Sequence, residues 1–216
     1  MPERVSFTTQ DGVEIVGDWY PAPGKRFAIL LHIRPATKES WRRWAEILRE
    51  RGVSVLAYDQ RGHGESTMGG TIDFEKMTDD ESRGKRLDLE AAFAWLEGKG
   101  ATDGNTFLMG GSIGANLAIR FLSEHPGVPT AIALSPGLDY RGVTTGDAIS
   151  NLSGVQQVVL IASDDDQHDS FASCAKLHEL APERTTFLRQ TGLGHGTHML
   201  EKDPALFDAI LARLSL

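Results

Sequence analysis

Short apolar runs alternate with helical patterns along most of the chain. The runs at 28–32, 53–58, 106–110, 130–134, 157–162 and 185–188 are rich in β-branched residues and read as buried strands. Between them, Trp41, Trp44, Ala45 and Leu48 fall at i, i+3, i+4 and i+7. So do Leu89, Ala92, Phe93 and Leu96, and again Phe207, Ile210, Leu211 and Leu214. Each set predicts a helix with one apolar face, and the tryptophans of the first set read as helix packing. Glu39 and Ser40 mark the start of the first helix, and Gly52 its stop. Residues 5–9 and 13–20, joined by Asp11-Gly12, predict an opening antiparallel hairpin. That makes eight strands. Repeated strand–helix alternation predicts an α/β fold, a mostly parallel sheet with helices on both faces. Such sheets bind ligands beyond the carboxyl ends of their strands, so the residues just after each strand are the candidates for chemistry.

Composition narrows the class. The 216 residues are 40% apolar and 24% charged, which excludes a disordered chain. No linker or repeat divides them, so one domain over 1–216 is expected. The apolar stretches fall far short of a membrane span, and the first residues lack the pattern of a signal peptide. A cytoplasmic protein is expected. The net charge of −8 argues against a nucleic acid or an anionic membrane as partner. The single cysteine, Cys174, excludes an internal disulfide and a cysteine-based zinc site. It shares a predicted helix with Phe171 and Leu177 and reads as a small buried hydrophobe.

One turn stands out. Gly110-Gly111-Ser112-Ile113-Gly114 follows a strand and opens a helix, which is G-x-S-x-G in its structural context. Small neighbours let strand and helix backbones approach, and the serine hydroxyl then stands at a helix N-terminus that favours negative charge. The glycine spacing does not match a dinucleotide fingerprint, and a P-loop would need a lysine here. A serine hydroxyl needs a base to take its proton. The loop after the last strand, 191–198, holds His195 and His198. His195 is preferred because its glycine neighbours leave the imidazole room to reach the serine; His198 reads as the start of the final helix. An orienting carboxylate is expected from Asp164, Asp165 or Asp166, which cannot all face inward without raising one another's pKa. Serine, aspartate, histidine is a known triad order. The Ile113 N–H is the expected first donor to a substrate oxyanion, and the loop 32–37 should supply the second.

These residues together resemble the α/β-hydrolase superfamily over nearly the whole chain. Three stretches carry the likeness: Leu31-His32-Ile33-Arg34, then Tyr58-Asp59-Gln60-Arg61-Gly62-His63-Gly64-Glu65-Ser66, then 110–115. The second is similar to a D-x-R-G-H-G-x-S loop that is usually structural, which implies that His63 is not the base. Aligning 163–166 with the superfamily's G-x-x-D motif, serine replacing glycine, implies Asp166 as the triad acid. The His-Gly-x stretch implies that the second oxyanion donor is the backbone N–H of Arg34, with Ile33 replacing the glycine. Members with lids insert long segments after the strand ending near Leu134. Here about twenty residues, 137–156, separate that strand from the next, which implies an open site with no large cap. Phe74, Met77 and Met68 are candidate lining for an acyl pocket.

The expected activity is that of a serine hydrolase, a carboxylesterase acting on short-acyl esters through Ser112, Asp166 and His195. The expected partner is a small-molecule ester, with no metal or organic cofactor; the oligomeric state is left open. Thioesters, lactones and peptides would suit the same triad. The rival from another class is a non-catalytic binding protein on the same fold.

Overall fold

The computed structural model describes residues 1–214 and residue 216. The elements run β1 (Glu3–Thr8), β2 (Glu14–Tyr20), β3 (Arg26–Leu31), a 3-10 turn at Lys38–Trp41, α1 (Arg42–Glu50), β4 (Val53–Tyr58), α2 (Asp79–Arg83), α3 (Lys85–Glu97), β5 (Thr106–Gly111) and α4 (Ile113–Glu124). They continue with β6 (Thr130–Leu134), β7 (Asp139–Tyr140), β8 (Val143–Thr144), α5 (Gly146–Ser150), β9 (Gln157–Ser163), α6 (Ser170–Leu180), β10 (Thr185–Gln190), α7 (His198–Lys202) and α8 (Ala205–Arg213).

Eight strands form one sheet in the order β1-β2-β4-β3-β5-β6-β9-β10. β1 pairs antiparallel with β2 and β2 with β4; every later pairing is parallel. This is the mostly parallel sheet that the alternation predicted, and it agrees with the α/β-hydrolase architecture that the resemblance implied. The strands are apolar on both faces because helices cover both. Along β3, Phe27, Ile29 and Leu31 enter one core while Ala28 and Leu30 enter the other. β9 repeats this with Val158, Leu160 and Ala162 against Val159 and Ile161. The first core is closed by Leu89, Phe93 and Leu96 of α3, Leu117 and Phe121 of α4, and Cys174 and Leu177 of α6. The second is closed by Trp44 and Leu48 of α1, Met199 and Leu200 of α7, and Phe207, Ile210 and Leu211 of α8.

Chain order reverses at β3: β4 lies on one side of it and β5 on the other. A crevice opens at such a switch point, above the carboxyl ends of the two strands. The residues that follow are 32–34 after β3 and Ser112 after β5.

Two boundaries differ from the periodic reading. The closing helical pattern is two helices, α7 and α8, separated at Asp203 and Pro204; proline cannot continue the backbone bonding of α7 and instead caps α8. The segment 137–156 holds a two-stranded ribbon, β7 with β8, as well as the short helix α5. Its loop residues Arg141 and Gly142 both have positive φ, 55° and 79°, which a two-residue hairpin turn of the primed type requires. No further layer is inserted between β6 and β9, so no cap covers the sheet edge there. Among the described residues, no helix is long and apolar enough to cross a membrane.

Candidate active site

Ser112 is the single residue between β5 and α4, with φ 53° and ψ −123°. A side chain seldom adopts that region, so its turn stores strain of about 1–3 kcal/mol that the surrounding structure must hold. The holding contacts are visible. The Ser112 N–H donates to the Leu134 carbonyl at 2.9 Å, and the Ser112 carbonyl accepts from the N–H groups of Ala115 and Asn116 at 2.9 and 3.1 Å. Close backbone approach does the rest. A Cβ on Gly114 would stand 2.6 Å from the Leu31 carbonyl oxygen, and one on Gly110 would sit on the Gly114 carbonyl itself. Gly110 and Gly114, the first and last positions of the motif, thus let helix α4 lie against β3 and β5.

Asp166 and His195 are brought together by the loops after β9 and β10. His195 Nδ1 lies 2.8 Å from Asp166 Oδ2. A carboxylate only accepts, so the bond places the proton on Nδ1 and leaves Nε2 as the basic nitrogen. The Asp166 carboxylate is fully enclosed and His195 keeps 16% of its side chain exposed. Burial alone would raise the Asp166 carboxyl. Hydrogen bonds from His195, from the Ser170 hydroxyl and from the His168 N–H at 2.9 Å outweigh burial and hold it well below the usual carboxylate range.

Asp164 and Asp165 point outward, yet they are not idle. Asp165 Oδ1 accepts from the Gly194 N–H at 2.9 Å and from the Ser163 hydroxyl, and Ser163 accepts from the Leu193 N–H at 2.9 Å. Asp164 receives Thr191 and the Gly192 N–H. On the far side of His195, the Gly196 N–H donates to Ser135 Oγ at 2.9 Å. The histidine loop is therefore pinned residue by residue to the loops after β6 and β9. Asp169 occupies the N-cap position of α6, with no capping hydrogen bond from its side chain. His198 opens α7, exposed and paired with Glu201.

Ser112 and His195 line one cavity of about 480 Å³, together with Arg34, Phe74, Ile113 and Tyr140. The two groups share a wall, and the Ser112 hydroxyl makes no hydrogen bond to any described residue. Catalytic hydrogen bonds are often long in a ligand-free site and tighten on binding. Neither the Ile113 N–H nor the Arg34 N–H meets an acceptor among the described residues, and both residues face the same space.

Of the three candidate pocket residues, only Phe74 lines this cavity. Met77 is buried beside Val13 and Arg61 in a neighbouring hollow, and Met68 is exposed with its sulfur near the Glu14 N–H. Sequence reading missed Glu75, Tyr140, Arg141 and His168, which also line it. Tyr140 and Arg141 stand on the β7–β8 turn, and the Arg-Gly pair between Tyr140 and Val143 was the signal for that hairpin. His63 is almost wholly buried and lies outside the cavity wall, stacked against Phe74 at 4.2 Å between centroids. Its loop is structural. Asp59 accepts from Lys38 Nζ and from the Lys38 N–H, both at 2.8 Å, and Arg61 bridges Asp11 and Asp88.

The model of the Hydrolase_4 family, described as serine aminopeptidase, S33, matches residues 29–164. The chain belongs to this family. The match runs from β3 to the end of β9, so it includes Arg34 and Ser112, stops just short of Asp166 and leaves out β10 and His195. No curated protein matches the chain. Solved structures do. The hydrolase is similar to the Pyrococcus furiosus esterase Pf2001, with TM-score 0.77 and 21% identity over 99% of this chain and 92% of the other. It is similar to esterase RhEst1 from Rhodococcus sp. ECU1013, with TM-score 0.77 and 17% identity over 98% of each chain. It is also similar to the α/β hydrolase GrgF from Penicillium sp. sh18, with TM-score 0.79 and 17% identity over 99% and 96% of the two chains. At these identities the likeness is one of fold.

Proposed function

We propose that the chain is a serine carboxylesterase acting on short-acyl esters through Ser112, His195 and Asp166. One observation carries the reading: a serine held at positive φ on a strand-to-helix turn opens onto the same cavity as a histidine whose far nitrogen is bonded to a buried aspartate. Strain of that kind is retained where it positions a reacting group. The two esterases that share the fold support an ester as the substrate class.

In this mechanism Ser112 Oγ attacks the ester carbonyl carbon and passes its proton to His195 Nε2. The oxyanion is received by the Ile113 and Arg34 N–H groups, each worth about 3 kcal/mol of the barrier. His195 then gives its proton to the leaving alcohol as the carbon–oxygen bond breaks. Asp166 holds the tautomer and stabilises the imidazolium. Water attacks the acyl-enzyme with His195 again as base, and the acid is released with Ser112 restored. Pro35, Phe74, Ile113 and Tyr140 offer the acyl chain a short apolar wall.

A fluorophosphonate probe and a series of p-nitrophenyl esters test this. Labelling at Ser112, lost in Ser112→Ala, with turnover falling as the acyl chain lengthens from butyrate to decanoate, is the expected result. No labelling and no turnover would leave a non-catalytic binding protein. The family name raises an aminopeptidase as the second reading, and preference for amino-acyl p-nitroanilides over the esters would select it.

A further inference from the structure

The cavity wall carries a cation whose place the ester chemistry does not explain. The Arg34 guanidinium is held in the wall from two sides. It donates to the Phe74 carbonyl at 3.0 Å, and its carbon stands 5.1 Å from the centroid of the Phe74 ring. Phe74 is in turn stacked on the buried His63. No carboxylate among the described residues pairs with Arg34. Two arginines beside other hollows are matched. Arg61 is paired with Asp11 and Asp88 at 2.7 Å each, and Arg120 with Asp147 at 3.1 Å and Glu124 at 3.6 Å.

A half-buried guanidinium without a counter-ion is an unmet demand for an anion. The setting strengthens it. The chain as a whole carries −8, so a cation fixed beside the serine is a local reversal of sign. Arg141, on the β7–β8 turn, enters the same wall. It is bound to the Met77 carbonyl and lies 3.5 Å from the exposed Asp79. His168 stands beside it, its ring 4.6 Å from that of His195. One carboxylate opposes them. Glu75 is exposed and forms no ion pair among the described residues, so solvent screens it more than the half-buried Arg34.

We infer that the site takes an ester carrying a negative charge, with the Arg34 guanidinium as its counter-ion. The inference rests on the serine-esterase reading and names its substrate class. The Arg34 side chain then sets specificity, separately from its own N–H at the oxyanion.

Matched esters test it and locate the charge. Monoethyl succinate against ethyl butyrate places a carboxylate on the acyl side; 4-(butanoyloxy)benzoate against phenyl butyrate places it on the leaving group. In at least one pair the charged ester should have the higher kcat/KM by about tenfold, the worth of one charge-assisted hydrogen bond in a half-buried setting. Arg34→Gln should bring that ratio close to one, Arg34→Lys should keep most of it, and Glu75→Gln should raise it. The ratio is taken within each variant, so a general loss of turnover cancels. Ratios at or below one in both pairs, or a ratio that survives Arg34→Gln, overturn the inference while leaving the esterase. Absence of turnover on all four esters, with no labelling of Ser112, overturns both.

Discussion

Asp166 accepts His195 Nδ1–H at 2.8 Å, while its neighbour Asp165 accepts only groups that hold the loop on which His195 rides. Adjacent carboxylates therefore act on one imidazole in two ways. Asp166 sets its tautomer, and Asp165 sets where its backbone lies. Asp166→Asn would offer an amide that can present N–H to Nδ1 and reverse the tautomer. The expected loss in kcat is about 10⁴-fold, the scale of losing a triad carboxylate's orientation. Asp165→Asn keeps an acceptor oxygen for the Gly194 N–H and should cost less than tenfold. Steady-state kinetics on one ester separate the two, and equal losses would refute the assignment of Asp166.

Local signals in the sequence located most of the frame. Val53–Tyr58 and Thr130–Leu134 coincide with β4 and β6 because a strand buried on both faces must be apolar throughout, and such a run has sharp ends. Residues 166 and 195 were paired through the family resemblance; they meet because β9 and β10 are parallel neighbours whose loops leave the same edge of the sheet. What stayed hidden depends on contacts distant in sequence. Nothing near Tyr140 or Arg141 shows that their ribbon stands over residues 34 and 74, and Met77 and Phe74 look alike in a loop although they face different hollows. Lys38 reads as a surface residue, yet it is 2% exposed because Asp59, 21 residues away, meets it.

The turn at Ser112 trades stability for position. Its φ of 53° and ψ of −123° mirror an extended conformation, which glycine reaches as readily as its ordinary one. Its hydroxyl has no hydrogen bond to lose within the described residues. Ser112→Gly should therefore raise stability by about 1 kcal/mol, strain relief less the greater entropy of an unfolded glycine, while removing turnover. Thermal unfolding of the variant beside Ser112→Ala checks this. A melting temperature for the glycine chain at or below that of the alanine chain would show that the turn is unstrained.

Gly114 tests the close approach of α4 to β3. A methyl group there would meet the carbonyl oxygens of Leu31 and His32 at 2.6 and 2.8 Å, and neither backbone can yield without moving the loop that bears Arg34. Gly114→Ala should destabilise the fold by about 2–3 kcal/mol, as overpacking does, and lower kcat more than it raises KM. Denaturant titration gives the first quantity and ester kinetics the second. A variant of ordinary stability and activity would show that strand and helix are further apart than this.

Beneath the site, His32 joins the ends of β3 and β4, its Nδ1 on the Ile33 carbonyl at 2.8 Å and its Nε2 receiving the Gln60 N–H at 3.0 Å. Burial pushes this imidazole from 6.5 down to about 3. Above pH 6.5 it is neutral in the folded and the unfolded chain alike and adds no pH dependence. Between about pH 6.5 and 3 the unfolded chain binds a proton that the folded chain refuses, so stability falls as the solution is acidified. The slope from one such group approaches about 1.4 kcal/mol per pH unit. Asp88, which burial pushes up to about 6, acts in the opposite sense, and His63, which burial also pushes down, acts in the same sense, so the total slope mixes several groups. A difference between chains isolates His32. His32→Gln keeps a donor and an acceptor without a proton to gain, and its unfolding free energy between pH 6 and 4 should fall less steeply than the parent's by about 1 kcal/mol per pH unit. Parallel curves from urea titrations at each pH would mean that the folded chain protonates His32 as easily as the unfolded one.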